Sequence, residues 1–238
     1  MNSRTQAFVL LLFGGALLRL ATTDALLRYV RPVARPWVLL AGAGMVGLAV
    51  WSLIAQARSR AGTRSEDSEV VDAHGHHHGA SRAGWLVLAP VVAILVVAPP
   101  ALGAYSAKRL PVSSIKPPSR QFPALTGADP IQVSLLDFYG RAAFGAGQTL
   151  TGHRIALTGF VLGPEVGGFQ LARLVITCCA ADAQPVVASV QTTAAPPSRD
   201  TWVTVTGRFA GMSPADATVP VLRADTVTPA RQPANPYD

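Results

Sequence analysis

The stretch RLVITCCAADAQP, residues 173–185, decides the fold of the second half of the chain. Residues 173–177 are rich in branched apolar side chains, which favour a β-strand. The AADAQP that follows is typical of a turn, and the apolar run after it, 185–192, predicts a second strand. This region is therefore predicted to consist of short β-strands joined by turns.

The same strand pattern recurs along the last hundred residues. Runs of Val, Ile, Thr and aromatic residues, separated by Gly and Pro turns, occupy 154–162, 168–177, 185–192, 201–209 and 218–227. Five short strands of this kind predict an all-β domain, a small OB-like barrel, over residues 129–238. The segment 131–143 predicts a helix ahead of the barrel. A polar, proline-rich stretch, 108–128, predicts an extended linker before the domain.

The first part of the chain has the composition of a membrane protein. Half of the 238 residues are hydrophobic and 14% are charged, against about one quarter charged in soluble domains. Uncharged runs at 37–56 and 84–105 each reach the roughly 20 residues that cross a bilayer as a helix. A third segment, 5–27, is long enough if Arg19 extends towards the headgroups. We therefore predict an α-helical membrane anchor of about three transmembrane helices over residues 1–107.

The charges flanking these segments predict the orientation. Basic residues are nearly balanced between the two sides, and we take the side with Arg4 and the arginines of 58–64 as cytoplasmic. The protein is then a multi-pass protein of the cell membrane with an extracytoplasmic C-terminal domain. Within the second span, Ala43 and Gly47 form a small-xxx-small pair that allows close helix packing.

A polar loop, 57–83, separates the second and third predicted spans. It contains four acidic residues followed by four histidines, His74, His76, His77 and His78. Imidazoles bind zinc, copper and nickel, and the neighbouring carboxylates attract cations. The alternative is a disordered, solvated loop whose histidines bind nothing.

The two cysteines of the chain, Cys178 and Cys179, are adjacent. If the strand ends at Thr177 and the chain turns, Asp182 can approach both sulfurs, and the three residues become candidate ligands for zinc or another thiophilic metal. A fourth ligand would come from the histidine loop, from His153 or from a partner. The alternatives are a disulfide between neighbours, which is geometrically awkward, or packing of Cys178 in the barrel with Cys179 as an edge thiol. Arg173, on the strand before the pair, is expected to be a surface residue.

The sequence contains no enzyme motif. A phosphate-binding loop, a nucleophile elbow and a GxGxxG motif after a strand are all missing, so we predict a non-enzymatic protein. Nucleic-acid binding is not expected either. Only four of the twenty basic residues fall on predicted barrel strands, and stacking aromatics are few there.

Several motifs together resemble one bacterial family, the two-component membrane permease complex subunits. They are LRYVRPVARPW after the first apolar run, the histidine-bearing loop, ALTGFVLGPE, FQLARLVITCCAADAQPV, WVTVTGRF and NPYD. The resemblance implies an accessory subunit that accompanies a larger multi-spanning permease related to organoarsenical exporters, with the lipid bilayer as its surroundings. The alternative function is a stand-alone, membrane-anchored module that binds metal or senses redox state through its thiols.

Overall fold

A computed structural model describes residues 3–62, 101–110 and 122–238. The chain forms two compact units. The first contains Met1–Leu26 and Pro32–Pro100, and the second contains Leu27–Arg31 and Ala101–Asp238. The segment that links the first two helices thus belongs with the second half of the chain.

The described part of the first unit is a pair of apolar helices, α1 (Ser3–Thr22) and α2 (Arg35–Gly62). The stretch Pro32–Arg58 is long and apolar enough to cross a membrane, and its most apolar 18-residue window has a mean hydropathy of 2.1. The apolar part of α1, Gln6–Thr22, is shorter. Among the described residues, one helix is therefore long and apolar enough to cross a membrane.

The two helices pack through small residues at seven-residue spacing. Ala7, Gly14 and Ala21 are buried on α1, and they face Gly42 and Ala49 on α2. A Cβ atom added to Gly14 would lie 2.9 Å from the carbonyl oxygen of Gly42. Small residues allow such close backbone approach, and a repeat of seven keeps them on one seam.

The predicted small-xxx-small pair is not the packing face. Ala43 and Gly47 are exposed, and a Cβ atom at Gly47 would meet nothing within 4 Å. Gly42, one residue earlier, makes the contact instead. The small residues of both helices together decide which face of α2 packs on α1. The pattern in α2 alone does not specify that face.

The predicted anchor differs from the structure at its first helix. We predicted a continuous span over 5–27, but α1 ends at Thr22 and a 3₁₀ helix, Asp24–Arg28, follows. The hydroxyl of Thr22 donates to the carbonyl of Leu18, and the Thr23 amide donates to Leu20, a tighter turn than the α-helix. The predicted third span lies outside the described residues up to Pro100, and so does most of the loop 57–83.

The second unit is a closed barrel with three short elements ahead of it. These are α3 (Ala104–Ala107), β1 (Ile131–Gln132) and α4 (Leu135–Phe144), the last being the helix predicted at 131–143. The Ser134 side chain caps α4 by accepting a hydrogen bond from the Asp137 amide at 3.1 Å. The barrel strands are β2 (Ile155–Glu165), β3 (Gly168–Val175), β4 (Gln184–Gln191), β5 (Trp202–Met212) and β6 (Pro220–Pro229).

Five strands close the barrel. Their order is β2-β3-β4-β6-β5, and β5 pairs again with β2. All of these pairs are antiparallel except β4 with β6. Closure requires close strand contacts at Gly168 and Gly207, where a Cβ atom would overlap the carbonyl oxygens of Val190 and Arg223. The small β-barrel predicted from the five strand signals is confirmed.

Two apolar clusters stabilise the barrel. The larger fills its interior and includes Phe138 of α4, which is fully buried. The second covers the outer face of the first three barrel strands, where Leu174 and Ile176 pack against α3 and Tyr237. Covering this outer face fixes the end of β3, from which the cysteine turn begins.

Candidate thiol site

The cysteine pair lies in a bend directly after β3. The strand ends at Val175, and the chain bends at Thr177 and Cys178 before a 3₁₀ turn, Ala180–Asp182. The Asp182 carboxylate closes this turn by accepting hydrogen bonds from the amides of Thr177 at 2.9 Å and Cys178 at 2.8 Å. An aspartate that binds nearby amides is a common way to stabilise a turn.

The bend places both sulfurs on one side of the chain. In a regular strand, neighbouring side chains point to opposite faces, but here the two Sγ atoms lie 3.6 Å apart. Both cysteines are free thiols, Cys178 exposed and Cys179 half-buried. The alternative in which Cys178 packs inside the barrel with Leu174 and Ile176 is therefore wrong.

Asp182 keeps the Cys178 thiol protonated. The carboxylate and then the Cys179 sulfur, through hydrogen bonds, raise the pKa of Cys178 to about 11. Desolvation acts to raise the pKa of Asp182, but hydrogen bonds from Cys178, Thr177 and Cys179 outweigh it and lower that pKa. At neutral pH the site thus combines a charged carboxylate with a neutral Cys178 thiol.

The segment Leu27–Arg31 is bonded to the backbone of the cysteine pair. The Arg31 amide donates to the carbonyl of Cys178 at 3.2 Å, and the Ala180 amide donates to the carbonyl of Tyr29 at 2.7 Å. Val30 forms an antiparallel β-bridge with Cys179. The residues on both sides of the thiol pair are therefore held by this segment.

The motif NPYD, residues 235–238, is hydrogen-bonded to the same segment and to β3. The Tyr237 hydroxyl donates to the carbonyl of Arg28 at 2.7 Å, and the Asp238 amide donates to the carbonyl of Leu174 at 3.0 Å. Tyr237 is 2% exposed. Three motifs distant in sequence, 28–31, 174–182 and 237–238, thus converge on one turn.

Arg173 is not the surface residue that we predicted. Its Nε lies 3.0 Å from Oδ1 of Asp238, and the two side chains are 12% and 5% exposed. This contact is an ion pair without hydrogen-bond geometry, while the guanidinium donates to the carbonyls of Asn235 and Tyr237. Desolvation raises the pKa of Asp238 although Arg173 opposes it. The pair fixes NPYD to β3, so Arg173 acts on the thiol site only through the backbone.

The remaining predicted metal ligands do not join the cysteines in the part of the chain that the structure describes. His74, His76, His77 and His78 lie outside the described residues. His153 lines a separate cleft of about 490 Å³, with Arg154 and Arg208 on its walls. No cluster of three or more His, Cys, Asp and Glu residues suited to a metal is found within 3–62, 101–110 and 122–238. The metal prediction for Cys178, Cys179 and Asp182 remains a prediction.

One comparison with known proteins gave a match, and it covers the barrel. Residues 146–237 match the family model described as the DUF1980 C-terminal domain. The match includes the cysteine turn and Tyr237 but not the segment Leu27–Arg31. No curated protein and no solved structure matches the chain.

Proposed function

We propose that the chain is a membrane-anchored, non-enzymatic accessory subunit of a transport complex, and that Cys178 and Cys179 take up a thiophilic metal as cargo. One observation carries the second part of the proposal. The exposed Cys178 thiol and the half-buried Cys179 thiol are 3.6 Å apart without being bonded to each other. Two sulfurs at about 2.3 Å from one tetrahedral ion would be separated by about 3.7 Å. The pair is already spaced to chelate such an ion.

The chemistry of the site favours transfer over storage. A structural zinc site closes with four protein ligands, whereas this turn offers two sulfurs and a carboxylate whose oxygens already accept amides. The unfilled positions are then available to a donor or an acceptor molecule. Because Cys178 holds a proton tightly, loading must release that proton.

The covered outer face of the barrel supports a role other than nucleic-acid binding. OB-like barrels bind oligonucleotides on the face of their second and third strands. In this chain the corresponding strands are β3 and β4, and Ala172, Leu174 and Val187 on their outer face are buried in the second apolar cluster. A nucleic acid would find neither stacking aromatics nor an open groove there.

The chain path supports a multi-pass topology. Leu27–Arg31 and Ala101–Asp238 belong to the same unit, and α2 lies between them in sequence. If α2 crosses the bilayer, the span that the sequence predicts at 84–105 would return the chain to the side from which it entered. We therefore retain the multi-pass topology and the extracytoplasmic barrel as parts of the proposal.

The exposed side of α2 is suited to a partner helix. Among the described residues, nothing lies within 4 Å of a Cβ atom added at Gly44 or Gly47, and Trp37, Leu40 and Trp51 on the same helix are exposed. Small residues beside large apolar ones are typical of helix interfaces in membranes. We propose that a helix of the multi-spanning permease packs on this face.

Metal binding is tested by titrating the full-length protein in mild detergent with Cd²⁺, a thiophilic ion whose thiolate complexes absorb in the ultraviolet. We expect one equivalent to bind the wild type and none to bind Cys178→Ser/Cys179→Ser at the same concentrations. Asp216→Asn, in an exposed turn without cysteine, is the matched control. Equal binding by the double variant would refute the thiol assignment.

The partner is tested separately by purifying the tagged protein from its native membrane and identifying co-purified proteins by mass spectrometry. We expect one multi-spanning permease in stoichiometric amount. Gly47→Leu should reduce its recovery, while Gly15→Leu on α1, also in open space, should not. Recovery of the chain alone, in a detergent that preserves other complexes, would favour the stand-alone module.

A further inference from the structure

We infer that Leu27–Arg31 and Tyr237 are positioning residues of the thiol site, so that loading of Cys178 and Cys179 is coupled to how firmly Leu27–Arg31 is held. This inference rests on the proposed function, because coupling requires a ligand on the thiols. It adds a role for residues that contribute no ligand to the site.

The segment Leu27–Arg31 fixes the position of the backbone on each side of the thiol pair. Arg31 and Tyr29 bond to Cys178 and Ala180, one on either side of Cys179, and the bridge to Val30 holds Cys179 itself. Cys179 is consequently fully extended, with φ −153° and ψ 171°. The extended Cys179 next to the bend at Cys178 produces the 3.6 Å separation of the sulfurs. Moving the segment would therefore change the chelating distance.

Tyr237 closes a ring of contacts around the turn. Its backbone forms a parallel bridge with Leu174 on β3, and its hydroxyl holds the carbonyl of Arg28. These contacts connect β3 to Tyr237, Tyr237 to Leu27–Arg31, and Leu27–Arg31 through Cys179 back to β3. Because the tyrosine ring is buried in the outer cluster of the barrel, the hydroxyl is held in place. The Tyr237 hydroxyl also accepts a hydrogen bond from the backbone of Leu102. Removing this hydroxyl breaks the bond to Arg28 without touching a ligand.

Coupling of this kind is reciprocal. If a bound ion restrains Cys178 and Cys179, it also restrains the segment bonded to them, and a loosened segment must weaken ion binding by the same factor. Leu27–Arg31 continues directly into the 3₁₀ turn Pro32–Ala34 that precedes α2. The loading state of the thiols therefore acts on the chain that leads into the membrane helix.

The test uses Tyr237→Phe, which removes only the hydroxyl. Cd²⁺ affinity is measured on the full-length protein in detergent, together with amide hydrogen exchange with and without Cd²⁺. We expect Cd²⁺ to slow exchange in peptides covering 27–31 of the wild type. In Tyr237→Phe that exchange should be faster and Cd²⁺ binding about threefold to tenfold weaker, because the hydrogen bond to the Arg28 carbonyl is lost. Tyr139→Phe, at a half-buried tyrosine of the same unit, should match the wild type.

The outcomes separate this inference from the proposed function. If the wild type binds Cd²⁺ but exchange in 27–31 does not change, the coupling is refuted and metal binding stands. If Tyr237→Phe binds Cd²⁺ as tightly as the wild type while β3 and β4 remain protected, the positioning role is refuted. If the wild type binds no Cd²⁺, the proposed function fails and the inference fails with it. Slower exchange in 27–31 on Cd²⁺ binding supports the coupling even where Tyr237→Phe is unstable.

Discussion

Replacement of Asp182 by asparagine is expected to make the Cys178 thiol more reactive. The Asp182 carboxylate is the largest contributor to the raised pKa of Cys178, which is about 11 against an ordinary value of 9.0. Asparagine keeps one side-chain acceptor for the amides of Thr177 and Cys178 but carries no charge. The turn can then persist while the largest cause of the raised pKa is removed; the contributions of Cys179 and of desolvation remain.

The size of the effect follows from this pKa difference. A fall of about two units would raise the thiolate fraction near neutral pH about 100-fold. A less basic thiolate is a weaker nucleophile, and a Brønsted coefficient of about 0.45 reduces this gain by about eightfold. Alkylation of Cys178 should therefore be faster in Asp182→Asn than in the wild type, by up to about tenfold if the whole shift is lost.

The assay is iodoacetamide labelling at fixed pH, with fragment spectra that assign the label to Cys178 or to Cys179. Asp216→Asn is the control, because the Asp216 carboxylate accepts hydrogen bonds from the amide and hydroxyl of Thr218, at 2.9 Å and 2.6 Å, in a turn without a thiol. An unchanged Cys178 rate in a folded Asp182→Asn protein would refute the reasoning. An equal increase in Asp216→Asn would show that the effect is not local.

Three further predictions follow from the contacts of the two units. Arg173→Met should lower the free energy of unfolding by about 3 kcal/mol in thermal melts, because Asp238 is left charged and buried. This loss should shrink as pH falls through the pKa of Asp238, since the carboxyl group then becomes neutral. Adding Asp238→Asn to Arg173→Met should restore part of the lost stability. Gly42→Leu should destabilise the helix pair by about 1–3 kcal/mol, whereas Gly44→Leu, in open space, should change it by less than about 0.5 kcal/mol in detergent melts. The apparent Cd²⁺ affinity should rise about tenfold per pH unit, or more, between pH 6 and 8, because Cys178 must lose its proton; a flat titration profile would contradict proton release on loading.

The barrel could be predicted because its signals are local. Alternating apolar residues and Gly or Pro turns mark each strand, and the five predicted runs overlap the five observed strands. The ends were less accurate, as at β3, which stops at Val175 and not at Thr177. The bonds from Thr177 and Cys178 to Asp182 compete with the strand ladder there, and sequence alone does not indicate which bonds form.

The thiol site was predictable only in its local part. Cys178, Cys179 and Asp182 lie within five residues, so a turn brings them together whatever the rest of the chain does. The contribution of Leu27–Arg31 consists of backbone bonds across about 150 residues of sequence, and these depend on no side-chain type. Tyr237 offered a weak signal, because a buried tyrosine usually needs a partner for its hydroxyl. The partner, the carbonyl of Arg28, could not be named without the fold.

Asp182 has two opposing effects on the same site. By accepting the amides of Thr177 and Cys178 it fixes the bend that brings the sulfurs together, which favours chelation. By its charge and its hydrogen bond to the thiol it keeps Cys178 protonated, which opposes chelation. Asp182→Asn weakens both effects, so its metal affinity should change less than its alkylation rate. A site meant only for tight binding would not place a carboxylate against its thiol, whereas a site that must also release its cargo gains a proton that competes with the metal for the sulfur.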